Sequence, residues 1–173
     1  SSAASDVYKR QAQNKYAALE NLIDHMNPEQ IFDTILFVTD KQIETSFDIL
    51  TSRKIKRAKI TENESASRHV GRDGNTERQE IISQFVGRKL QVLVGIKCLD
   101  EGIDIPNARI AILMASSTNP REFVQRVGRV IRQAPEKPIP EIYDFVVDSD
   151  DAVLLSKEAR RAKPVSYTHL TLP

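Results

Sequence analysis

The stretch TILFVT, from Thr34 to Thr39, is a nearly unbroken run of β-branched and aromatic residues. A strand of this composition is typical of a parallel sheet in which helices cover both faces. Continuous apolar runs recur at 91–96, 109–115 and 141–147, and RAKIT at 57–61 reads as a shorter strand. TILFVT therefore predicts one strand of a larger parallel sheet.

Amphipathic segments separate most of these apolar runs. KYAALENLIDHM at 15–26 places its apolar residues at the spacing of one helical face and ends before Asn27-Pro28. QIETSFDILT at 42–51 and NTERQEIISQFV at 75–86 have the same character. This alternation predicts an α/β fold with right-handed crossovers and helices on both faces of the sheet. In such folds, ligands bind where loops leave the carboxyl ends of the strands.

Composition limits the class of protein. The chain has 173 residues, of which 40% are hydrophobic and 28% charged, and this is ordinary for one globular domain. The formal net charge of +1 gives no global attraction to nucleic acid or membrane, so polyanion binding depends on local clusters. The single cysteine excludes a disulfide framework, and the three histidines lack metal-ligand spacing. No apolar run is long enough to span a bilayer, so we expect a cytoplasmic protein. Because of the histidine spacing and the single cysteine, we also expect no metal site.

The two ends of the chain differ from its interior. SSAASDVYKRQ at the start and VSYTHLTLP at the end resemble translated sequencing adapters, and neither continues the interior periodicity. We therefore predict a non-native leader at 1–11, a native domain at 12–164 and a non-native tail at 165–173. We leave both ends out of the predicted fold, and we expect the native part to be a piece of a longer protein.

The segment NPREFVQRVGRVIRQ, at 119–133, gathers arginines on one face of a predicted helix. Asn119 suits the N-cap, Pro120 the first helical position and Glu122 a capping box. At helical spacing the apolar residues share one face, and the opposite face carries Arg121, Gln125, Arg129 and Arg132. A solvated basic face is one interpretation. The exclusive use of arginine, whose planar fork suits phosphate oxygens or a carboxylate, and the glycine at 128 favour a helix that faces phosphate.

A second polar cluster follows the apolar run at 91–96. Its charged and flexible residues are Lys97, Asp100, Glu101, Gly102 and Asp104. A glycine and several carboxylates at the carboxyl end of a strand lie where open α/β sheets bind ligands. A capped turn, whose acids accept hydrogen bonds from backbone N–H groups, is the alternative for this segment alone. Carboxylates at one strand end can also orient arginines from the helix that follows the next strand.

These motifs resemble a known family. QRVGRVIR resembles motif VI, KCLDEGIDIP motif V and ILFVTDKQ motif IV of superfamily 2 helicases and translocases of the DEAD/DEAH-like branch. The resemblance runs from Lys15 to Val147 and is closest to helicases and translocases of restriction and repair type. It implies that this chain is the C-terminal RecA-like domain of a superfamily 2 helicase or translocase. In that family, ATP binds between two RecA-like domains. This chain has no GxxxxGK[ST] phosphate loop and no Walker B motif, so we expect the ligands of ATP and Mg²⁺ on an upstream RecA-like domain of the same protein.

The resemblance implies nucleotide-related roles for residues of motifs V and VI. Arg129 and Arg132 would be arginine fingers that stabilise the charge developing as the terminal phosphoryl group leaves. Gln125 would contact the γ-phosphate or the surroundings of the attacking water. Gly102 and Asp104 would couple the nucleotide to bound nucleic acid, and Asp104 would hold an arginine of motif VI.

The resemblance also implies contacts to nucleic acid, with DNA favoured over RNA. Thr39, Lys41 and Lys97 would contact the phosphate backbone without reading sequence. Many relatives have a threonine where this chain has Ile96, so the phosphate contact of that hydroxyl is not expected here. The basic stretch SRKIKRAK at 52–59 is either a further contact to a nucleic-acid strand or a solvated edge of the sheet.

Together these features predict the C-terminal motor half of an ATP-dependent nucleic-acid helicase or translocase, inactive as an isolated chain. A RecA-like module that binds nucleic acid or a partner without hydrolysing ATP is the alternative, and the intact QxxGRxxR arrangement argues against it. An unrelated α/β enzyme with its own nucleotide site would need a glycine-rich strand-to-helix turn, which the sequence lacks.

Overall fold

The structure, a computed structural model, describes residues 2–61, 74–95, 105, 107–114, 140–147 and 166–172. Helices and strands alternate along most of this part of the chain. Their order is α1 (Ser2–His25), β1 (Thr34–Phe37), α2 (Ile43–Ser52), β2 (Arg57–Ile60), α3 (Glu77–Val86), β3 (Val92–Gly95), β4 (Ile110–Leu113), β5 (Glu141–Val147) and β6 (Ser166–Leu172). Each predicted strand and each of the three amphipathic segments described above corresponds to one of these elements.

The described strands form one sheet in the order β2-β3-β1-β4-β5-β6, and every neighbouring pair is parallel. Strand β1 lies between β3 and β4, with Thr34 opposite Val92 on one side and opposite Ile110 on the other. All residues of β1, β3 and β4 are buried. The predicted parallel sheet is confirmed, and TILF is one of its inner strands.

Helices cover both faces of the sheet. Successive side chains of a strand point to opposite faces, so each strand contributes to two apolar clusters. On one face, Leu36 of β1 packs in a cluster with Leu19 of α1 and Leu50 of α2. On the other face, Ile35 packs in a cluster with Phe85 of α3. The predicted coverage of both faces is therefore confirmed.

Helix α3 begins with a capping box. The Gln79 N–H donates to the Thr76 hydroxyl at 3.2 Å, and the Thr76 N–H donates to Gln79 Oε1 at 2.9 Å. Two backbone donors that have no partner within the helix are satisfied in this way, which fixes where the helix starts.

Regular structure also occurs in the two ends that were left out of the predicted fold. Helix α1 begins at Ser2, and β6 pairs with β5 along Ser166–Leu172. The prediction that neither end continues the interior pattern is wrong. Alanine, lysine, arginine and glutamine in the first segment favour a helix, and threonine and tyrosine in the last one favour a strand that can pair with the edge of β5. The non-native origin of both ends stays a prediction.

Replacement of Phe85 by alanine tests the packing of α3. Phe85 is 0% exposed and is the buried residue of that helix. We expect Phe85→Ala to lower the free energy of unfolding by about 3–5 kcal/mol, because a large cavity is left against the sheet. Ser83→Ala, at an exposed position of the same helix, should change it by less than about 0.5 kcal/mol. Denaturant unfolding followed by circular dichroism measures both, and equal effects would contradict the packing described here.

Candidate functional site

The carboxyl ends of β3, β1 and β4 are level with each other. The side of the sheet on which these strand ends lie is called the carboxyl edge. Phe37, the last residue of β1, is in register with Gly95 of β3 and Leu113 of β4. One residue further, the Val38 N–H donates to the Gly95 carbonyl at 3.0 Å, and the Met114 N–H donates to the Phe37 carbonyl at 2.9 Å. The chain segments that follow these three strands therefore start at the same edge.

This edge contains the topological switch point of the sheet. The connection after β1 leads to β2 on one side of the sheet, whereas the connection after β4 leads to β5 on the other side. Between two neighbouring strands whose connections diverge, open α/β sheets have a crevice in which ligands bind. The crevice expected here lies between the carboxyl ends of β1 and β4.

Thr39 and Lys41 lie at this edge, in the turn between β1 and α2. The turn is held by two hydrogen bonds: the Thr39 N–H donates to Gln42 Oε1 at 3.0 Å, and the Gln42 N–H donates to the Thr39 carbonyl at 2.9 Å. Thr39 and Lys41 are both exposed. A hydroxyl and a cation exposed on a fixed turn can both reach phosphate oxygens. The structure thus places these two residues at the predicted edge, and their contact with nucleic acid stays a prediction.

The other predicted site residues lie outside the described residues. They are Lys97, Gly102 and Asp104 after β3, Gln125, Arg129 and Arg132 after β4, and also Ile96 and the predicted helix at 119–133. The structure fixes the points from which their segments leave, at Gly95 and Met114, and these points lie on either side of β1. The roles of these residues stay predictions.

Two residues that the sequence did not reveal as important meet at the edge. Gln42 Nε2 and Lys15 Nζ both donate to the carbonyl of Met114, each at 3.1 Å. The carbonyl that precedes the arginine-bearing segment is therefore bound from both α1 and the turn before α2. Two signals could have indicated these residues: Lys15 lies on the apolar face of its helix, four positions before Leu19, and Thr39-x-x-Gln42 has the spacing of a capping box.

Lys15 is buried, with 5% of its surface exposed. Burial lowers its pKa below the ordinary lysine value of 10.5, and the negative charge of Asp144 on β5 opposes that shift. A buried ammonium group is costly unless it has polar partners, and the Met114 carbonyl is one such partner. The carboxyl end of β4 is therefore bound by a buried lysine side chain.

The basic stretch at 52–59 makes ion pairs with acids of the same chain. Arg53 Nε donates to Asp24 Oδ1 at 2.7 Å, and Lys59 Nζ donates to Glu44 Oε1 at 2.6 Å. The Lys59 ammonium also lies 4.6 Å from the centre of the Phe47 ring. These contacts favour the interpretation of the stretch as a solvated edge strand of the sheet, because Arg53 and Lys59 already have partners on α1 and α2.

The residues that the structure describes offer neither a cluster of metal ligands nor a membrane-spanning helix. Among them, no group of three or more histidine, cysteine or acidic side chains is placed to hold a metal ion. None of the helices in this part of the chain is long and apolar enough to cross a membrane.

A parallel sheet covered on both faces defines an open α/β domain, in which ligands typically bind at the carboxyl ends of the strands. The family of the helicase conserved C-terminal domain matches residues 14–134, and the chain belongs to that family. It is a C-terminal domain of superfamily 2 helicases and translocases.

Curated relatives share sequence with part of the chain. DNA 3'-5' translocase XPB2 of Sulfurisphaera tokodaii is 36% identical over 63 residues, which cover 36% of this chain and 14% of that protein. UvrABC system protein B of Methanosarcina mazei is 34% identical over 115 residues, which cover 62% of this chain and 17% of that protein. The matched region is thus a small fraction of either relative's length.

Solved structures share the fold. The C-terminal domain of the DEAD-box protein Dbp5 superposes with a TM-score of 0.66 at 21% identity, covering 92% of this chain and 84% of that one. The E. coli DEAD-box protein SrmB, solved with regulator of ribonuclease activity A, gives a TM-score of 0.63 at 21% identity and covers 92% and 85%. These structures confirm the predicted RecA-like fold, and the family match over residues 14–134 confirms the predicted superfamily.

Replacement of Lys15 by methionine tests the buried charge. Between its lowered folded-state pKa and the unfolded value of 10.5, Lys15 holds fewer protons in the folded state than in the unfolded state. The free energy of unfolding of the wild-type chain should therefore rise, relative to Lys15→Met, as the pH increases from the lowered folded-state pKa towards 10.5. Denaturant titrations across this range measure the difference, and Lys56→Met controls for the loss of one exposed lysine. A difference that is constant with pH, or that falls, would contradict the burial of the charge.

Proposed function

We propose that this chain is the C-terminal motor half of an ATP-dependent nucleic-acid helicase or translocase of the cytoplasm. An upstream RecA-like domain would hold ATP, the segment after β4 would supply arginines to it, and the turn after β1 would grip the nucleic-acid backbone. The observation that carries this proposal is the family match over residues 14–134. The inner strands of the sheet end at the same level, so the segments that follow β1, β3 and β4 begin side by side.

The proposed role in ATP hydrolysis depends on the residues after β4 and β3. Arg129 and Arg132 would place fixed positive charge at the γ-phosphate, where negative charge develops in the transition state. Gln125 would contact the γ-phosphate or the surroundings of the attacking water. Gly102 and Asp104 would couple the nucleotide to bound nucleic acid, and Asp104 would hold one of the arginines. The donor set fits a triphosphate, because guanidinium groups bind phosphate oxygens through paired N–H groups. Mg²⁺, held by the upstream domain, would neutralise the β- and γ-phosphate oxygens.

The proposed role in nucleic-acid binding depends on the exposed turn after β1. Thr39 and Lys41 are exposed at the edge where the crevice between β1 and β4 opens, and Lys97 follows the neighbouring strand β3. Hydroxyl and ammonium groups bind the backbone without reading bases, which suits a motor that must move along any sequence. DNA is the proposed track because one relative, 36% identical over 63 residues, is a DNA translocase.

Measurement of ATP turnover tests the proposal. The purified chain alone should show none, whereas the full-length protein that contains it should hydrolyse ATP faster in the presence of DNA than of RNA. In the full-length protein, Arg132→Ala should lower turnover by about 10³-fold or more, the usual effect of losing an arginine finger, and leave the melting temperature unchanged. Arg88→Ala, an exposed arginine at the opposite edge of the sheet, is the control. Turnover by the isolated chain, or equal effects of the two substitutions, would contradict the proposal.

The salt dependence of DNA binding tests the role of Lys41. Loss of one phosphate contact should lower the slope of log Kd against log salt concentration by about one unit in Lys41→Ala. Lys56→Ala removes an exposed lysine at the amino end of β2, on the opposite edge of the sheet, and should leave the slope unchanged. Fluorescence anisotropy with a labelled DNA at several salt concentrations gives both slopes. A lower slope for Lys56→Ala and an unchanged slope for Lys41→Ala would place the DNA at the amino ends of the strands and contradict the proposed contact.

A further inference from the structure

We infer that Gln42 is a positioning residue that links the turn after β1 to the segment after β4. It would pass a change at the nucleic-acid contact to the arginines that act on ATP. This inference rests on the proposed function, because the two linked segments are those that would bind nucleic acid and ATP. No role was assigned to Gln42 by the motifs of the sequence.

The side-chain amide of Gln42 uses its two ends on two different parts of the chain. Its oxygen accepts the Thr39 N–H at 3.0 Å, and its nitrogen donates to the Met114 carbonyl at 3.1 Å. An amide can accept at one end and donate at the other, whereas a carboxylate only accepts. Gln42 is partly buried, so these hydrogen bonds are less exposed to competition from water than those of a surface side chain.

Met114 connects this bridge to the sheet and to the arginine-bearing segment. Its N–H donates to the Phe37 carbonyl at the end of β1, and residues 115–139 follow it directly in the chain. If binding of a phosphate backbone shifts the turn at Thr39, the amide of Gln42 must move or lose one of its partners. Either response changes the hydrogen bonding at the point where the arginine-bearing segment begins. Two sites that bias one shared arrangement are energetically coupled.

Lys15 makes the link testable without disrupting the fold. It donates to the same Met114 carbonyl from α1, so this buried acceptor keeps a partner when the donor of Gln42 is removed. Removal of a donor usually destabilises a protein because the remaining acceptor is left unsatisfied, and that cost is avoided here. An effect of a Gln42 substitution on activity can then be separated from an effect on stability.

The chain offers a matched control in Gln79. Its side-chain oxygen accepts the Thr76 N–H at 2.9 Å at the start of α3, as Gln42 Oε1 accepts the Thr39 N–H before α2. Gln79 is exposed, whereas Gln42 reaches Met114. Glutamate at either position keeps the acceptor for the backbone N–H and is favourable near the start of a helix. Only Gln42→Glu also removes the donor to Met114.

The experiment compares Gln42→Glu, Gln79→Glu and Gln42→Ala in the full-length protein. The readouts are ATP turnover with and without the nucleic acid that stimulates the wild type most, affinity for that nucleic acid without nucleotide, and melting temperature. We expect Gln42→Glu and Gln42→Ala to lower the ratio of stimulated to basal turnover by about fivefold or more, the lower end of typical coupling. In Gln42→Glu, which keeps the acceptor for the Thr39 N–H, affinity for nucleic acid and melting temperature should stay at the wild-type values, and Gln79→Glu should match the wild type in every readout.

The possible outcomes separate the inference from the proposed function. A wild-type protein that no nucleic acid stimulates contradicts the proposed function itself. A stimulated wild type whose ratio is unchanged by Gln42→Glu contradicts only the link to Met114, whether or not Gln42→Ala lowers the ratio. An equal loss in Gln79→Glu also overturns the link, because the effect would then belong to helix capping. If Gln42→Glu does not fold, a wild-type ratio in Gln42→Ala still contradicts the inference.

Discussion

The parallel pairing of β1 between β3 and β4 is the constraint on which the rest of the structure depends. The backbone of β1 has a partner strand on each side, and its side chains are buried on both faces. A shift of one residue would exchange the residues that face α3 with those that face α1 and α2, and the side-chain packing of both apolar clusters would be disrupted. Packing on both faces therefore fixes the register. The register in turn determines that β1, β3 and β4 end at the same level.

The functional edge follows from this register. Because Phe37, Gly95 and Leu113 are aligned, the segments that follow β1, β3 and β4 begin beside one another even though they are far apart in sequence. Hydrogen bonds from α1 and from the turn before α2 then converge on the carbonyl of Met114. The packing of the core thus determines where the polar segments start. The proposed ATP hydrolysis and nucleic-acid binding then depend on the arginine, lysine and threonine side chains within those segments.

Much of the fold could be predicted from sequence because its main signal is strong. A strand buried on both faces needs an uninterrupted apolar run, so TILF, VLVG and IAIL mark β1, β3 and β4 directly. The order of strands could not be predicted in this way, since it depends on which crossovers pack best and not on any local pattern. Strand β6 was missed because SYTHLTL has weak periodicity and its composition differs from that of the interior strands.

The candidate site was predictable in part, for reasons that differ between residues. Thr39 and Lys41 could be placed because they directly follow a recognisable strand. Gln42 and Lys15 could not, since a polar residue near a turn and a lysine on a helix face are common on ordinary surfaces. Their importance arises from one carbonyl that they share, on a strand distant in sequence. Three-dimensional contacts of this kind leave little trace in a single sequence.

Photochemical cross-linking tests most directly whether ATP faces the carboxyl ends of β1 and β4. The full-length protein would be irradiated with an ATP analogue that carries a photoreactive group on its γ-phosphate, and the modified residues would be mapped by mass spectrometry. We expect modification within residues 115–139 of this chain, suppressed by an excess of unmodified ATP. Modification confined to the opposite edge of the sheet, at residues 27–33, 53–56 or 87–91, would contradict the proposed orientation of the motor.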